Sequence, residues 1–151
     1  MTKDKIVFGE KVAGQKYRTR IGIYALIFDD ENNLAVIQTK TGYFLPGGGL
    51  DGNESHNECL HREAKEEMGW EIEVGKYIGN SAAYHYSTTK NDYCNNDGYF
   101  YLAKMIREVS LPTEPDHKVV WLTPADAIKK LYHKNQTWAV EKVVKNLTLY
   151  K

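Results

Sequence analysis

Residues 48–70 read GGLDGNESHNECLHREAKEEMGW, and this stretch indicates the fold of the chain. Ser55 and Glu58 have the three-residue spacing of a capping box, which marks the start of a helix. Gly69 stands where a left-handed residue commonly ends a helix. The stretch therefore predicts a helix over residues 55–68, entered from a glycine-rich segment.

Three carboxylates share one arc of this helix. With Glu63 at zero on a wheel of about 100° per residue, Glu66 falls at about −60° and Glu67 at about +40°. Glutamates three and four residues apart repel each other, so a cation is expected to compensate their charge. Mg²⁺ is held in proteins by one or two carboxylates, together with water and substrate phosphate. A Mg²⁺ site, in which Mn²⁺ is expected to substitute, is therefore one prediction for this helix, and an acidic face exposed to solvent is the alternative.

The same wheel divides the other helical side chains into two sets. The apolar side chains fall together between about 60° and 140° and predict the face that packs against the core. The carboxylate arc therefore borders the core instead of opposing it. The predicted core stripe comprises Leu60, Ala64 and Met68, and the predicted solvent side comprises Glu58, Arg62 and Lys65.

The fixed positions around the helix form a longer pattern. Residues 48–70 fit Gly-x5-Glu-x7-Arg-Glu-Ala-x-Glu-Glu-x-Gly-Trp, which resembles the signature of the Nudix hydrolase family and of its MutT-like members. At roughly 6% usage per residue type, seven fixed positions match by chance on the order of 10⁻⁹ per starting point. Ala64 replaces a usual Leu, Ile or Val and Trp70 is larger than common, but neither is a carboxylate position.

The resemblance implies a hydrolase that splits the diphosphate linkage between a nucleoside diphosphate and another group. It also implies that Glu63, Glu66 and Glu67 are the catalytic carboxylates and metal ligands, with the backbone carbonyl of Gly48 as a further ligand. A bound metal ion neutralises the diphosphate and lowers the pKa of bound water. The run Pro46–Gly49 is too flexible to predict as a regular element and suits a close backbone approach.

Two other charged residues of the signature are expected to act through those carboxylates. Arg62 could pair with Glu54 or with a catalytic glutamate and fix its rotamer, as partners of metal ligands do. The alternative for Arg62 is a surface ion pair. Glu54 is expected either to orient a ligand or to be an auxiliary ligand itself.

The general base is less well defined, because in this family it comes either from the helix or from a distant loop. The segment Glu-Pro-Asp-His at residues 114–117 resembles the acidic stretch often seen before a tryptophan, here Trp121. Asp116 is the candidate for the base or for an extra metal ligand. The alternative is that Asp116 is a turn residue after Pro115.

Substrate contacts are predicted from the strands on both sides of the signature. Arg18 and Arg20 share one face of a strand by the two-residue period, and a planar guanidinium suits phosphate. A solvated strand edge is the alternative for both. The aromatic residues that could stack on a base are Tyr24, Phe44, Tyr84, Tyr86 and Trp138, although aromatic residues in strands more often belong to the core. Phe44 and Tyr84 are the two predicted contacts.

The resemblance leaves the substrate open. A MutT-like pyrophosphatase acting on nucleoside triphosphates, including oxidised ones, is the default expectation. No proline follows the signature before Pro112, which disfavours the ADP-ribose type. An RNA 5′-end pyrophosphohydrolase and a dinucleoside polyphosphate hydrolase are the alternatives, and the complete set of carboxylates argues against a non-catalytic ligand sensor.

Outside the signature, hydrophobic patterning predicts short strands and two further helices. Residues 17–28 and 34–38 are predicted to form a hairpin, and the polar loop Ser87–Asp97 is expected to lie over a ligand site. The element order predicts an α+β fold, a Nudix-type α/β/α sandwich with a mixed, largely antiparallel sheet. The other predicted strands are residues 43–45, 70–74, 77–86, 98–106 and 119–121, and the other helices are residues 125–132 and about 137–147.

The bulk composition limits the remaining possibilities. With 151 residues, 42% of them hydrophobic, a single domain over residues 1–151 is expected, with its core at about 17–147. Twenty basic and twenty acidic residues cancel, which disfavours DNA binding and leaves an RNA 5′ end and a homodimer open. No stretch approaches a membrane span or a signal peptide, so a cytoplasmic protein with a small-molecule nucleotide substrate is expected.

The cysteine content is low. Cys59 and Cys94 are the only two cysteines, too few for a disulfide framework. Cys59 is expected to pack in the core and Cys94 to lie in a loop.

Overall fold

The structure is a computed structural model and describes residues 5–146. The predicted end of the last helix, Leu147, lies outside this range. No helix within residues 5–146 has the length and the apolar composition needed to cross a bilayer. The elements in chain order are β1 (Ile6–Phe8), β2 (Tyr17–Ile27), β3 (Leu34–Gln38), β4 (Tyr43–Phe44), β5 (Gly47–Gly49), α1 (His56–Met68), β6 (Trp70–Ser87), β7 (Asp92–Glu108), β8 (Lys118–Leu122), α2 (Pro124–Lys130) and α3 (Lys134–Lys145).

The strands form two sheets. The larger one has the order β1-β6-β7-β2-β5, and the smaller one has the order β4-β3-β8. The pairs β1–β6 and β2–β7 are parallel, and the other four pairs of named strands are antiparallel. The prediction of a mixed, largely antiparallel arrangement is therefore confirmed.

The helices cover both faces of these sheets, and strand β2 shows how. Its residues Ile23, Ala25 and Ile27 pack in one apolar cluster with the buried side chains of α1. Tyr24 and Leu26 pack in a second cluster with buried residues of α2 and α3. Because successive side chains of a strand point to opposite faces, a strand covered on both sides reads as a continuous apolar run. The result is the predicted α/β/α sandwich.

Helix α1 begins and ends where the sequence predicts. Ser55 is the N-cap, and both hydrogen bonds of the capping box with Glu58 are present. Gly69 is the C-cap with φ +70°, in the left-handed region. A Cβ at Gly69 would lie 2.0 Å from the carbonyl oxygen of Ser110, so the close approach of residues 109–111 also requires glycine here.

The glycine run before α1 is regular, contrary to its prediction as an irregular segment. Gly47–Gly49 forms β5 and pairs antiparallel with Gly22, Ile23 and Tyr24 of β2. Backbone pairing needs no side chain, so a glycine run that lacks strand propensity still completes the edge of a sheet. At Gly47 a Cβ would lie 2.1 Å from the carbonyl oxygen of Ile23, which explains why the strand can approach so closely.

Two predictions about strand connections are wrong. β2 and β3 do not form a hairpin, because β2 pairs with β5 and β7 while β3 belongs to the other sheet; one bridge, Phe28–Leu34, links their ends. The predicted loop Ser87–Asp97 consists mostly of paired strand, and only residues 88–91 turn. The polar side chains of this stretch predict a loop, but the backbone pairing of the two strands continues through it. Cys94 is accordingly a buried residue of β7 and not a loop residue.

The last two helices differ from their predicted bounds. α2 begins one residue earlier and ends two residues earlier than predicted, with Thr123 as a side-chain N-cap and Pro124 in the first turn. α3 begins at Lys134 instead of Thr137, and its N-cap His133 makes no side-chain capping hydrogen bond. The missing cap removes the usual sequence signal for a helix start. This earlier start places Gln136 in the helix.

Candidate active site

The three signature glutamates lie on one side of α1, next to β5. Glu67 is 5% exposed, and its Oε1 accepts a hydrogen bond from the backbone N–H of Gly47 at 2.8 Å. Glu63 and Glu66 are half-buried. The acidic side of the helix thus faces the backbone of the glycine strand, with Leu60 and Ala64 packed in the core beside it.

The segment before β8 reaches the same place. His117 Nδ1 lies 3.1 Å from Oε2 of Glu67 and 2.9 Å from Oε2 of Glu114. Asp116 is exposed and makes no recorded contact with these groups. The candidate base or ligand Asp116 therefore stays a prediction without geometric support, whereas its neighbours Glu114 and His117 are at the acidic helix. The sequence signal for Glu114 and His117 was their i,i+3 spacing in a turn, which places both side chains on the same side of the segment.

Arg62 holds several oxygens of the site together. Its Nε lies 2.6 Å from Oε2 of Glu54, and its Nη1 donates to Glu63 at 2.9 Å and to Glu66 at 3.2 Å. Its Nη2 donates to the backbone carbonyl of Gly49 at 3.1 Å. The side chain is 27% exposed and thus does not extend into solvent as the helical wheel predicts. The ion pair with Glu54 that the signature implies is present.

The charges of the site shift the pKa values of these groups. Burial, followed by the nearby negative charge of Glu67, raises the pKa of Glu63 to about 7. Burial also raises the pKa of Glu67, while its hydrogen bond to His117 opposes that change. The hydrogen bond from Arg62 lowers the pKa of Glu54 to about 2. The raised pKa values indicate that the protein's own positive charges only partly compensate the negative charges of Glu63 and Glu67.

The carboxylates fit a divalent cation. Oxygens of Glu63, Glu66 and Glu114 lie within 4.8 Å of one another, and so do ligand atoms of Glu67, Glu114 and His117. Hard oxygen donors at such spacings suit Mg²⁺ or Mn²⁺, which would also supply the missing positive charge. These cations suit the site because its side chains offer oxygen ligands close together, and not merely because many acidic residues are present.

Gly48 leaves room for Glu63. A Cβ at this position would lie 2.7 Å from Oε1 of Glu63, a distance that would force the carboxylate to move. The carbonyl oxygen of Gly48 faces α1, where the thiol of Cys59 approaches it at 3.8 Å. Cys59 is fully buried, as predicted for a packing residue. The carbonyl of Gly48 as a metal ligand stays a prediction.

A cavity of about 930 Å³ opens beside the acidic helix. Glu67, Gly48 and His117 line one part of it, and the sheet face of β2 and β7 forms another part. Of the four predicted substrate contacts, Arg18, Arg20 and Phe44 line the cavity. Tyr84 does not line it; its ring packs edge-on against Tyr17 at 5.1 Å between centroids.

The two arginines of the cavity have different partners. Arg18 forms an ion pair with Asp92, with 2.8 Å between Nε and Oδ2. Arg20 donates from Nη1 to the hydroxyl of Tyr24 at 3.0 Å, and no carboxylate in residues 5–146 lies within ion-pair distance of it. A half-buried guanidinium without an anionic partner is costly for a protein to retain. Arg20 is therefore available for an anionic ligand.

Further polar side chains of the cavity were not identified from the sequence. They come from the end of the β6–β7 hairpin and from the start of α3. The predicted boundaries treat these parts as loop, except for His85, which lies in the predicted strand 77–86. Period-two alternation along β7 was the usable signal, since it places every second polar residue on one face. Among these residues are His85, Asn96, His133 and Gln136.

Many solved structures are similar to this chain. A NUDIX hydrolase from Nitrosomonas europaea has a TM-score of 0.70 at 12% identity, over 85% of this chain and 90% of that one. A MutT protein from Methanosarcina mazei has a TM-score of 0.64 at 18% identity, over 86% and 96%. An ADP-ribose pyrophosphatase from Streptococcus suis has a TM-score of 0.61 at 19% identity, over 83% and 90%. At these identities the likeness shows the fold.

Comparison at the level of sequence gives the family. No curated protein matches the chain. The family profile described as the NUDIX domain matches residues 18–144, a range that includes the acidic helix, the glycine strand and the Glu114–His117 segment. Because this match covers most of the 151 residues, the chain belongs to the NUDIX domain family.

Proposed function

We propose that this Nudix hydrolase cleaves the diphosphate linkage of a nucleoside diphosphate derivative with the help of Mg²⁺, most simply as a MutT-like nucleoside triphosphate pyrophosphatase. The observation that carries the proposal is that Glu67, bound to the N–H of Gly47, lines a cavity that also holds Arg20, an arginine without a carboxylate partner. Glu63 lies beside it against Gly48 of β5. The site thus offers anionic ligands for a metal ion and a cation for phosphate in one cavity.

Glu63, Glu66 and Glu67 would hold the metal ion, with the carbonyl of Gly48 as a further ligand. When bound, the ion would neutralise the diphosphate and make bound water more acidic. The chain's own contribution is positioning. The N–H of Gly47 fixes one oxygen of Glu67, and Arg62 fixes Glu63 and Glu66, so three ligands keep their orientation before substrate arrives.

Glu114 is a better placed candidate than Asp116 for the extra ligand or base. Its carboxylate lies with Glu63 and Glu66 in one group and with Glu67 and His117 in another. His117 is hydrogen-bonded to Glu67, and its Nδ1 lies 2.9 Å from Oε2 of Glu114, so it would hold the Glu114 carboxylate and position it for a proton from water. Asp116, by contrast, is exposed and belongs to neither group.

The cavity supports a phosphorylated substrate of nucleotide size. Arg20 lies next to β5, where a Cβ built at Gly49 would be 3.4 Å from its Nη2. This places the guanidinium close to the metal ligands, so one diphosphate could contact both. Phe44 adds an aromatic surface for a base elsewhere in the same cavity.

A product-release assay with Mg²⁺ tests the proposal. The panel contains canonical and oxidised nucleoside triphosphates, nucleotide sugars, ADP-ribose, dinucleoside polyphosphates and triphosphorylated RNA. We expect release from at least one nucleotide class, and at least about a 100-fold loss of kcat in Glu67→Gln, which removes an anionic ligand without changing shape. Glu141→Gln, an exposed glutamate of α3, is the matched control. Absence of Mg²⁺-dependent release from every substrate would contradict the proposal.

A further inference from the structure

Strand β2 carries two cavity side chains on either side of a glycine. Arg20, Gly22 and Tyr24 are two residues apart, so they share one face of the strand. Arg20 and Tyr24 both line the cavity. Because Gly22 has no side chain, the ring of Tyr24 can lie along the strand toward Arg20. The glycine therefore lets two side chains four residues apart meet.

The contact between these side chains depends on the glycine. A Cβ at Gly22 would overlap the hydroxyl of Tyr24 and lie 2.7 Å from two carbons of its ring. The ring thus occupies the space that an alanine methyl group would need. At its end, the hydroxyl of Tyr24 accepts a hydrogen bond from Nη1 of Arg20 at 3.0 Å.

The neighbouring strand β7 holds the ring of Tyr24 in place. Phe100 is its partner in the register and stacks on it, with 5.6 Å between ring centroids and 25° between the ring planes. Phe100 is fully buried, and its own ring lies over Gly98, the register partner of Gly22. The ring of Tyr24 is therefore fixed by packing, and its hydroxyl is the part that can act on a ligand.

The hydroxyl of Tyr24 has a proton that no protein group accepts. A phenol both accepts and donates hydrogen bonds, and here Arg20 is the donor. Tyr24 is 7% exposed, yet residues 5–146 contain no acceptor for its proton. Burial raises the pKa of Tyr24, although Arg20 opposes that change, so the proton is retained at neutral pH. A buried donor beside an arginine without a carboxylate partner indicates an anionic ligand.

The guanidinium of Arg20 lies next to the glycine strand. A Cβ built at Gly49 of β5 would be 3.4 Å from Nη2 of Arg20. The adjacent residue Gly48 lies against Glu63, one of the proposed metal ligands. Arg20 and the hydroxyl that binds it are therefore close to the place where the phosphates of a metal-bound substrate would lie.

We propose that Tyr24 is a positioning residue that holds Arg20 for a phosphate group of the substrate, and that the Tyr24 hydroxyl donates its proton to the same phosphate. The guanidinium supplies the positive charge, and the hydroxyl fixes its direction and adds one neutral donor. Without Arg20 the phosphate is not held there, so the hydroxyl should then contribute little. The inference rests on the proposed function, since it assigns a further residue to the substrate site of that reaction.

Binding of inorganic pyrophosphate tests this inference without a nucleotide. Isothermal titration calorimetry in the presence of Mg²⁺ compares the wild type, Tyr24→Phe, Arg20→Ala and the double variant. Tyr24→Phe keeps the stacked ring and removes the hydroxyl, so the affinity should fall by about tenfold, the size of one hydrogen bond. In the Arg20→Ala background the same change should weaken binding by less than about twofold, because the two groups act together.

A second tyrosine provides the matched control. Tyr43 is a half-buried residue of β4 that does not line the cavity, and Tyr43→Phe should bind pyrophosphate as the wild type does. Circular dichroism checks that each variant is folded. The inference would be overturned by the absence of pyrophosphate binding in the wild type, by an unchanged affinity in Tyr24→Phe, or by an equal loss with and without Arg20.

The outcomes separate the two claims. A loss of pyrophosphate affinity in Tyr24→Phe that requires Arg20, without hydrolysis of any nucleotide, would support the inference and contradict the proposed function. Hydrolysis of a nucleotide with Mg²⁺, together with an unchanged pyrophosphate affinity in Tyr24→Phe, would support the proposed function and overturn the inference.

Discussion

Glu67 of the acidic helix accepts a hydrogen bond from the backbone N–H of Gly47, 20 residues earlier in the chain, at 2.8 Å. This bond connects α1 to the edge strand β5 across the wall of the cavity. It also leaves the second oxygen of Glu67 for His117. The position of one proposed metal ligand is thereby fixed by backbone on one side and by a side chain on the other.

Replacement of Glu114 and of Asp116 should have unequal effects. Glu114→Gln removes the carboxylate that lies beside Glu63, Glu66 and Glu67, so kcat should fall by about 10- to 100-fold. Asp116→Asn alters an exposed side chain and should change kcat less than about twofold. Steady-state kinetics on the best substrate of the panel measures both. A loss in Asp116→Asn alone would restore Asp116 as the base.

Arg20 and Arg18 should differ in their contribution to substrate binding. Arg20→Ala removes a cation that no carboxylate neutralises, so KM for phosphorylated substrates should rise by about 10- to 100-fold, the range of a hydrogen bond to a charged group. Arg18→Ala should have a smaller effect, because Asp92 already pairs with Arg18. Equal KM values for Arg20→Ala and the wild type would show that Arg20 contacts no phosphate.

A methyl group at Gly48 should reduce activity without unfolding the protein. In Gly48→Ala the new Cβ would meet Glu63 Oε1 at 2.7 Å and displace that carboxylate. We expect weaker Mn²⁺ binding by electron paramagnetic resonance and a lower kcat, with a thermal midpoint within a few degrees of the wild type.

Gly75→Ala is the control for the glycine substitution. Gly75 also lies in a strand, where a Cβ would be 3.3 Å from the carbonyl oxygen of Leu102, and it does not line the cavity. Unchanged Mn²⁺ affinity in Gly48→Ala would show that Glu63 adjusts freely and that the glycine is not needed for metal binding.

The stability of the fold should depend on the protonation of His133. Burial lowers the pKa of this residue from 6.5 to about 4, so the unfolded chain binds a proton more readily than the folded one. Its contribution is therefore complete above pH 6.5 and is lost as the pH falls toward 4, by about 3 kcal/mol in total. Urea unfolding at pH 7.5 and 4.5 measures the free energy of unfolding at both ends of this range.

Variants separate His133 from the other titrating groups. In His133→Gln the difference in unfolding free energy between the two pH values should shrink, because the proton acceptor is gone. His61→Gln, an exposed histidine of α1, should leave that difference unchanged. The same pH dependence in wild type and His133→Gln would contradict the assignment.

The sequence predicts the parts of the site that depend on local signals. The capping box at Ser55 and Glu58 and the left-handed Gly69 define α1, and the helical period brings Glu63, Glu66 and Glu67 to one side. These features act within a few residues, so no tertiary contact can easily override them. The helix and its acidic side therefore needed no structure to be identified.

Other parts of the site depend on contacts that only the folded chain contains. Whether Asp116 or its neighbours face the acidic helix is decided by the turn at residues 114–117 and not by composition. The strand at residues 92–97 was missed because most of its side chains are polar. Asn96 lines the cavity, whereas Asp92 and Asp97 form ion pairs with Arg18 and Lys5. Gln136 was missed because α3 begins without a side-chain cap.

The central claim is that a divalent cation binds between the acidic side of α1 and the glycine strand. Anomalous diffraction from crystals soaked in MnCl₂ tests it most directly. The account predicts a manganese peak within ligand distance of carboxylate oxygens from Glu63, Glu66 and Glu67. A difference map without a peak at these carboxylates, in crystals that hold manganese elsewhere, would contradict it.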